Sequence, residues 1–279
     1  MFISLQNTSL HDLPMKKWKK AFKALGLILS NPWLLNKVLD DTVWEDYVIS
    51  QYAMKQGFPV VSPQQLGISY AEPVFPYAFL DGGSLPTDLA LLNGLARIIP
   101  DCRYFEIGTW RGESVANVAR FAKSCHTLDL APEQLRQLGR DEAYIQAQGC
   151  LSRDIQNVTQ LLGDTLTYDF SVLGRNFDLI FIDGDHHYEM VRHDTEKVFN
   201  ALYREDTIIV WHDYAANPEQ IRYEVMAGIL DGLPKEKHPN LYHVANTKCA
   251  ILFPKRLDGK TLKFPMDALP LFEVTLQVK

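Results

Sequence analysis

The sequence predicts an α/β protein with a doubly wound, mostly parallel sheet that carries helices on both faces. From Cys102 onward, short apolar runs alternate with helical stretches, which is typical of βαβ units. The strand-like runs are CRYFEIG, CHTLDL, FDLIFID and DTIIVWHD, and helices are expected from about Glu113, at Pro132, from Tyr188 and near Pro218. Two final runs, LYHVA and CAILF, are separated by a turn-like tripeptide and predict a C-terminal antiparallel hairpin.

Residues 1–85 are expected to form a helical N-terminal extension followed by a proline-punctuated lid or linker, and residues 86–279 the main domain. Apolar side chains recur at helical spacing near the N-terminus, with lysines between them and a stop at Pro32: Trp18, Phe22, Leu25 and Leu29. This basic amphipathic helix has three open interpretations. It packs on the main domain, it contacts an anionic membrane surface through residues 15–31, or it forms a homodimer contact.

A second helix is expected from Pro32 to about Lys55. Five prolines then punctuate an irregular segment in which Tyr70, Tyr77 and Phe79 either line an acceptor pocket or pin the extension to the domain. Pro86 fits the first turn of the next helix, whose apolar stripe is Leu89, Leu92, Leu95 and Ile99.

The bulk composition excludes some classes of function. A formal net charge of -6 disfavours a general nucleic-acid binder, so a small-molecule partner is the better expectation. The sequence contains no C-x-x-C pair among its four cysteines, and no apolar run approaches the roughly 20 residues of a membrane span. We therefore expect a cytoplasmic protein without a transmembrane segment.

Acidic residues close successive predicted strands. Glu106 precedes a turn with two glycines, Gly108 and Gly112, which let the backbone approach a ligand closely, and its carboxylate can accept from a cationic amine. Asp129 at the next strand end can take both hydroxyls of a ribose, and Asp164 can receive an adenine amino group. Each of these acids taken singly is more typical of an ordinary turn residue or helix cap, but three in order, each at a predicted strand end, favour a binding site.

The fourth run ends in a polar cluster, Asp183, Asp185, His186 and His187. Because ligands of open α/β sheets bind at the carboxyl ends of the strands, we expect this cluster at the mouth of a site. His187 also fits an exposed helix start. In the helix that follows, Asp194 is expected to be structural, bonded to a neighbouring loop, and Trp211 after it belongs to the core.

The motifs EIGTWRGES, TLDL, GDT, FDLIFIDGDHHYEMVRHD and IIVWHDY resemble those of class I S-adenosylmethionine-dependent methyltransferases. The likeness is closest to the macrocin-type O-methyltransferases and covers roughly residues 86–254. It implies a seven-stranded Rossmann-like sheet and S-adenosylmethionine as cofactor. The cofactor-binding residues that it implies are Glu106, Gly108, Thr109, Gly112, Ser114, Asp129, Asp164 and Asp183.

The resemblance also implies a divalent metal site, because metal-dependent relatives bind magnesium through an acid after strand four and a pair after strand five. Those positions hold Asp183, His212 and Asp213 here. An imidazole ligand departs from the usual acidic pair and suits Mn²⁺, Fe²⁺ or Zn²⁺ better than Mg²⁺. A metal-free site, in which the same residues contact the substrate and move protons, stays open.

Three functions follow from these motifs. The first is O-methylation of a small hydroxylated acceptor, such as a sugar or a glycosylated metabolite, with Asp185 as the first candidate for the general base and His186 as the second. The second is a metal-dependent hydrolase or oxygenase that uses the Asp/His cluster. The third is a non-catalytic cofactor-binding module. The complete set of Glu106, Gly108, Gly112 and Asp129 favours O-methylation, the first of these functions.

Overall fold

The computed structural model describes residues 12–31, 42–69, 73–80, 82–261, 274–275 and 277. Its contacts divide the chain into two compact units, Met1–Asp46 and Tyr47–Lys279. The expected basic helix is α1, Asp12–Ser30, and it ends before Pro32 as predicted. Helix α2 spans Val43–Tyr52, while residues 32–41, where its predicted start falls, and Tyr70 lie outside the described residues.

The second unit alternates strands and helices. Its helices are α3 (Pro86–Ile98), α4 (Glu113–Val118), α5 (Pro132–Gln137), α6 (Glu142–Ala147), α7 (Tyr188–Ala201) and α8 (Tyr223–Gly232). Its strands are β1 (Val60–Val61), β2 (Arg103–Ile107), β3 (Ser124–Asp129), β4 (Val158–Leu162), β5 (Leu179–Ile182), β6 (Ile208–Trp211), β7 (Ala215–Asn217), β8 (Gln220–Ile221), β9 (Leu241–Val244) and β10 (Ala250–Leu252). Among the described residues, no helix is both long and apolar enough to cross a bilayer.

Eight of these strands form one sheet in the order β1-β9-β10-β6-β5-β2-β3-β4. Neighbouring strands are parallel except at β10, which is antiparallel to both β6 and β9. The predicted mostly parallel Rossmann-like sheet with a C-terminal antiparallel hairpin is therefore confirmed. The two-residue β1 at the edge is an addition to the seven strands expected.

The central strands are apolar because both of their faces are covered. All four residues of β5 and all four of β6 are buried, as expected for parallel strands between two helical layers. Trp211 belongs to the core as predicted, and its indole N–H donates to Thr195 of α7 at 2.9 Å. Three residues of the predicted stripe on α3, Leu89, Leu92 and Leu95, are fully enclosed, while Ile99 follows the end of the helix and is half-buried.

The helix expected near Pro218 begins later than predicted. Strands β7 and β8 form a separate two-stranded hairpin on either side of Pro218, and α8 starts at Tyr223. The reason is a local hydrogen-bonded turn, in which the Asn217 side-chain oxygen accepts from the backbone N–H of Glu219. Proline therefore occupies a turn here rather than a helix start.

The order of the strands creates a crevice. From β2 the chain proceeds to β3 and β4 on one side, and it then crosses to β5 and β6 on the other side of β2. At such a switch of direction the loops after β2 and β5 diverge, and ligands of α/β sheets bind between them at the carboxyl ends of the strands. The polar residues singled out in the sequence follow these strands.

Candidate functional site

The loop after β2 approaches the end of β5 closely. Gly108 has a φ of +93°, and a Cβ at this position would overlap the backbone carbonyl of Asp183. Gly112 has a φ of +84°, and a Cβ there would overlap the side chain of Ser152. Both predicted glycines are thus required by backbone conformation and by close packing. They let the loop between them pack closely against Asp183 and Ser152.

Glu106 lies beneath this loop and is completely buried. Its carboxylate accepts from Tyr104 Oη at 2.7 Å, Thr127 Oγ1 at 2.7 Å and Ser114 Oγ at 2.8 Å. Thr127 Oγ1 is also hydrogen bonded to Thr109 Oγ1. Burial raises the pKa of Glu106 to about 7 although the three hydroxyls favour its ionised form. Thr109 and Ser114, both predicted at the cofactor, are thereby linked to Glu106.

Asp129 ends β3 and fixes the same loop from the other side. Its two carboxylate oxygens accept from the backbone N–H groups of Trp110, at 3.0 Å, and Leu130, at 2.8 Å. Each oxygen retains a further lone pair, so the carboxylate can still accept from two hydroxyl groups of a ligand. The Trp110 ring packs against Tyr144, with the ring centroids 4.1 Å apart. Asp129 therefore holds the loop in place, and its contact with a ribose stays a prediction.

Asp164 follows β4, two residues after the strand ends at Leu162. Its carboxylate accepts from the backbone N–H of Leu166 at 2.9 Å, and its carbonyl accepts from Tyr168 N–H at 2.8 Å. Asp164 thus shapes the turn after β4, and its predicted contact with an adenine stays a prediction. The adjacent Thr165 bonds to Asp194 on α7, as expected for a structural aspartate.

At the end of β6, His212 is held between two carboxylates. Its Nε2 lies 3.0 Å from Asp88 Oδ2, and its Nδ1 lies 2.9 Å from Asp183 Oδ1. Burial by itself lowers the pKa of this imidazole, but Asp183, Asp213 and Asp88 together raise it well above its ordinary value. In this arrangement a proton on His212 Nδ1 places positive charge opposite the carboxylates of Asp183 and Asp213.

Asp88 was missed in the sequence because Asp at the third residue of a proline-led helix looks like a local cap. It does receive the backbone N–H of Leu85 at 2.7 Å, but it also receives that of Lys248 at 2.8 Å. Asp88 is fully buried, and with Cys249 it encloses the Nε2 side of His212. Only the packing of α3 beside β6 and β10 reveals this role.

Asp213 is surrounded by cationic groups. Its Oδ1 lies 2.9 Å from Lys248 Nζ, and its Oδ2 lies 3.6 Å from Arg222 Nη1 and 3.8 Å from His186 Nδ1. Burial opposes ionisation of Asp213, yet contacts with His212 and Lys248 hold the pKa of this carboxyl well below its usual value. Neither Lys248 nor Arg222 carried a signal in the sequence, since each lies in a connection between elements.

Three groups converge with metal-binding potential, as the resemblance implied: Asp183, His212 and Asp213. One donor atom from each lies within 4.8 Å of the other two. His212 Nδ1 and Asp213 Oδ1 are buried, and each already faces an oppositely charged group at 2.9 Å, Asp183 and Lys248 respectively. One imidazole with two carboxylates suits Mn²⁺ or Fe²⁺ more than Mg²⁺. A divalent cation at this position would have to displace the proton from His212, and it would compete with Lys248 for the Asp213 carboxylate.

Three further members of the polar cluster after β5, Asp185, His186 and His187, lie at the mouth of the site. Asp185 Oδ1 accepts from the backbone N–H of His187 at 2.7 Å and lies 2.6 Å from its Nδ1. Partial burial works against ionisation of Asp185, but these contacts with His187 lower its pKa overall. The His186 side chain is half exposed and faces Asp213. His187 occupies the residue before α7 without a side-chain capping hydrogen bond, and its ring is exposed, in agreement with the exposed helix start considered for it.

One family model is similar to the central part of the chain. Residues 105–214 match the Methyltransf_24 family model, described as a methyltransferase domain. The match runs from β2 to the residue after the His212–Asp213 pair and so includes most of the site. No curated protein sequence matches the chain significantly.

Several solved structures are similar to the chain at low identity. The cofactor-bound protein Rv0187 from MTB is 22% identical, with a TM-score of 0.44 over 64% of this chain and 84% of that one. An O-methyltransferase candidate from Klebsiella pneumoniae is 20% identical, with a TM-score of 0.39 over 80% and 94%. CalS10, an amino pentose methyltransferase from Micromonospora echinaspora, is 19% identical, with a TM-score of 0.34 over 47% and 51%.

The order of the motifs, the strand order and the family match agree with one another. Residues 105–214 are thus similar to the methyltransferase domain of the Methyltransf_24 family, in agreement with the class I, S-adenosylmethionine-dependent type that the motifs resemble.

Proposed function

We propose that this protein transfers a methyl group from S-adenosylmethionine to a hydroxyl oxygen of a small polar acceptor, such as a sugar or a glycosylated metabolite. One observation carries the proposal. The Gly108 loop and Asp129 at the ends of β2 and β3 adjoin a cluster of acid, imidazole and ammonium groups at the ends of β5 and β6. That combination offers a cofactor cradle beside groups able to hold and deprotonate a hydroxyl.

The residues present fit the cofactor. Asp129 retains acceptor sites for two hydroxyls, and Gly108 and Gly112 lack the Cβ atoms that would collide with Asp183 and Ser152, so the loop can pack closely. When bound, S-adenosylmethionine supplies a methyl carbon already activated by the sulfonium. The chain's own task is to align the acceptor oxygen with that carbon and to remove its proton.

His186 is better suited than Asp185 to be the base. The Asp185 carboxylate is already engaged by His187, which lowers its pKa and weakens it as a base. The His186 ring is exposed at the mouth, with Nδ1 toward Asp213 and Nε2 available to the acceptor. The acceptor O–H proton would pass to Nε2, the O–CH₃ bond would form, and the S–CH₃ bond would break with its electron pair left on sulfur.

The donor set fits a divalent cation, which Asp183, His212 and Asp213 would hold. Such an ion supplies Lewis acidity and lowers the pKa of a nearby hydroxyl. With or without it, Lys248 and Arg222 place positive charge beside Asp213 and favour an acceptor that becomes an oxyanion. The positive charges of Lys248 and Arg222 thus assist deprotonation of the acceptor hydroxyl.

The first experiment is calorimetric titration with S-adenosylhomocysteine, with and without Mn²⁺ or Mg²⁺, followed by methyl transfer to a panel of sugars and glycosylated compounds. Micromolar binding and a methyl ether product are expected. Cofactor binding that depends on added metal assigns an ion to the Asp183 cluster. The absence of binding under every condition would refute the proposal and favour the hydrolase or oxygenase alternative.

Two variants then assign the base. His186→Gln should lower kcat about 100-fold or more while cofactor affinity stays unchanged, and Asp185→Asn should have a smaller effect. A larger loss in Asp185→Asn would reverse the assignment. Asp183→Ala should abolish turnover with cofactor binding largely kept, and full activity of that variant would contradict the site.

A further inference from the structure

Helix α1 presents an apolar stripe to solvent. Four side chains make up the stripe, and their exposed fractions are 66% for Trp18, 70% for Phe22, 52% for Leu25 and 74% for Leu29. At 100° per residue these positions lie within an arc of about 60°. The rings of Trp18 and Phe22 lie next to each other, with centroids 6.5 Å apart. Exposed apolar side chains in one continuous stripe indicate a surface that binds something.

The charges on α1 are arranged around this stripe. Lys17 and Lys19 lie about 100° to either side of Trp18, while Lys20 and Lys23 occupy the opposite face. These four lysines are exposed. The last turns, residues 24–30, contain no charged residue, and Asp12 is the single acidic residue of the helix. In the first part of α1 an apolar stripe lies between flanking lysines, and in the last turns Leu27, 49% exposed on the opposite side, widens the apolar surface. Apolar side chains flanked by lysines are the pattern of helices that lie in a membrane interface.

The distribution of charge over the whole chain defines the partner further. Helix α1 carries five lysines and one aspartate, a net +4, whereas the complete chain is at -6, so the residues outside α1 sum to -10. Only a partner that is both negatively charged and apolar matches the two features of α1 together. The interface of an anionic bilayer offers phosphate groups to the lysines and acyl chains to the stripe.

We propose that α1 binds the protein to anionic membrane surfaces, lying parallel to the bilayer with Trp18, Phe22, Leu25 and Leu29 toward the acyl chains. A helix of 19 residues is about 28 Å long, and its five lysines prevent it from spanning the bilayer. The association is peripheral and reversible by salt. It rests on α1 alone and is independent of the proposed methyl transfer.

The test is cosedimentation of the full chain with vesicles of phosphatidylcholine alone and of phosphatidylcholine mixed with phosphatidylglycerol. At low salt the protein should bind the anionic vesicles at least tenfold more tightly than the neutral ones, and high salt should release it. Because a lysine at an anionic surface is worth about fivefold in affinity, Lys17→Glu/Lys19→Glu should weaken binding roughly 25-fold or more. Trp18→Ala/Phe22→Ala should weaken it at least tenfold.

The matched control is Lys235→Glu/Lys255→Glu, which makes the same charge change at two exposed lysines of the second unit and should leave binding within about threefold. Circular dichroism and thermal unfolding verify that each variant is folded. Equal binding to neutral vesicles, no binding at all, or an equal loss in the control would overturn the proposal. Self-association that requires Trp18 and Phe22, without vesicle binding, would assign the stripe to a second copy of the chain instead.

Discussion

His212 Nε2 lies 3.0 Å from Asp88 Oδ2, in a contact that joins the end of β6 to the first turn of α3 across 124 residues of sequence. Both side chains are buried, and the opposite ring nitrogen faces Asp183. Asp88 therefore fixes the ring orientation and directs Nδ1 into the site. A carboxylate behind a histidine commonly sets which nitrogen meets a ligand.

Asp88→Asn should destabilise the fold and disturb His212. The amide places an N–H₂ group against the donors of Leu85, Lys248 or His212, so at least one buried hydrogen bond is lost and the histidine loses a compensating charge. We expect a loss of about 3 kcal/mol in the free energy of unfolding, measured in urea. The control Asp258→Asn, at an exposed position, should change it by less than about 0.5 kcal/mol. Equal losses of unfolding free energy in the two variants would mean that Asp88 does not hold His212 in place.

Gly108→Ala should be far more harmful than Gly139→Ala. Both glycines have positive φ, +93° and +79°, so both variants incur backbone strain of about 1 to 2 kcal/mol. At Gly108 the added methyl also overlaps the carbonyl of Asp183, whereas at Gly139 it meets no atom within 4 Å. Thermal unfolding and cofactor titration of the two variants isolate the steric component. Similar behaviour of both would show that the loop moves aside at little cost.

Asp129→Ala should weaken binding of S-adenosylhomocysteine about 10- to 100-fold, the cost of losing hydrogen bonds to a charged acceptor. Part of this loss arises because the N–H of Trp110 also loses its acceptor. Calorimetry measures the affinity, with Asp206→Ala as the control, since that exposed aspartate precedes β6 at the opposite ends of the strands. Unchanged affinity of Asp129→Ala would remove it from the ribose role.

Glu106→Gln should change how stability depends on pH. Burial raises the pKa of Glu106 from 4.5 to about 7, so the folded protein favours the protonated form. The stabilisation from that preference is fully present below about pH 4.5, declines as the pH rises toward 7, and is absent above it. Relative to Glu106→Gln, the wild-type protein should lose roughly 3 kcal/mol of unfolding free energy between pH 4.5 and 7.5. Urea unfolding at several pH values measures this difference, and parallel pH profiles for the two proteins would mean that Glu106 stays ionised.

The alternation of strands and helices and the acids at the strand ends could be predicted from the sequence, because they depend on local hydrophobic periodicity and on short motifs. The mostly parallel sheet and the positions of Gly108, Asp129 and Asp183 were predicted for that reason. The hairpin around Pro218 was not, because proline serves equally as a helix start and as a turn residue, and the Asn217 side chain decides between them.

The electrostatic environment of the site was decided only by tertiary structure. Asp88 lies in the first turn of α3, whereas Lys248 and Arg222 lie in connections between elements, and nothing in their immediate sequence distinguishes them from caps and turn residues. The packing of α3 beside β6 and β10 brings the first two to His212 and Asp213, where burial strengthens every interaction between charges. The sequence by itself identified the residues at the strand ends, and the fold determined that Asp88, Lys248 and Arg222 join them and set their charge and orientation.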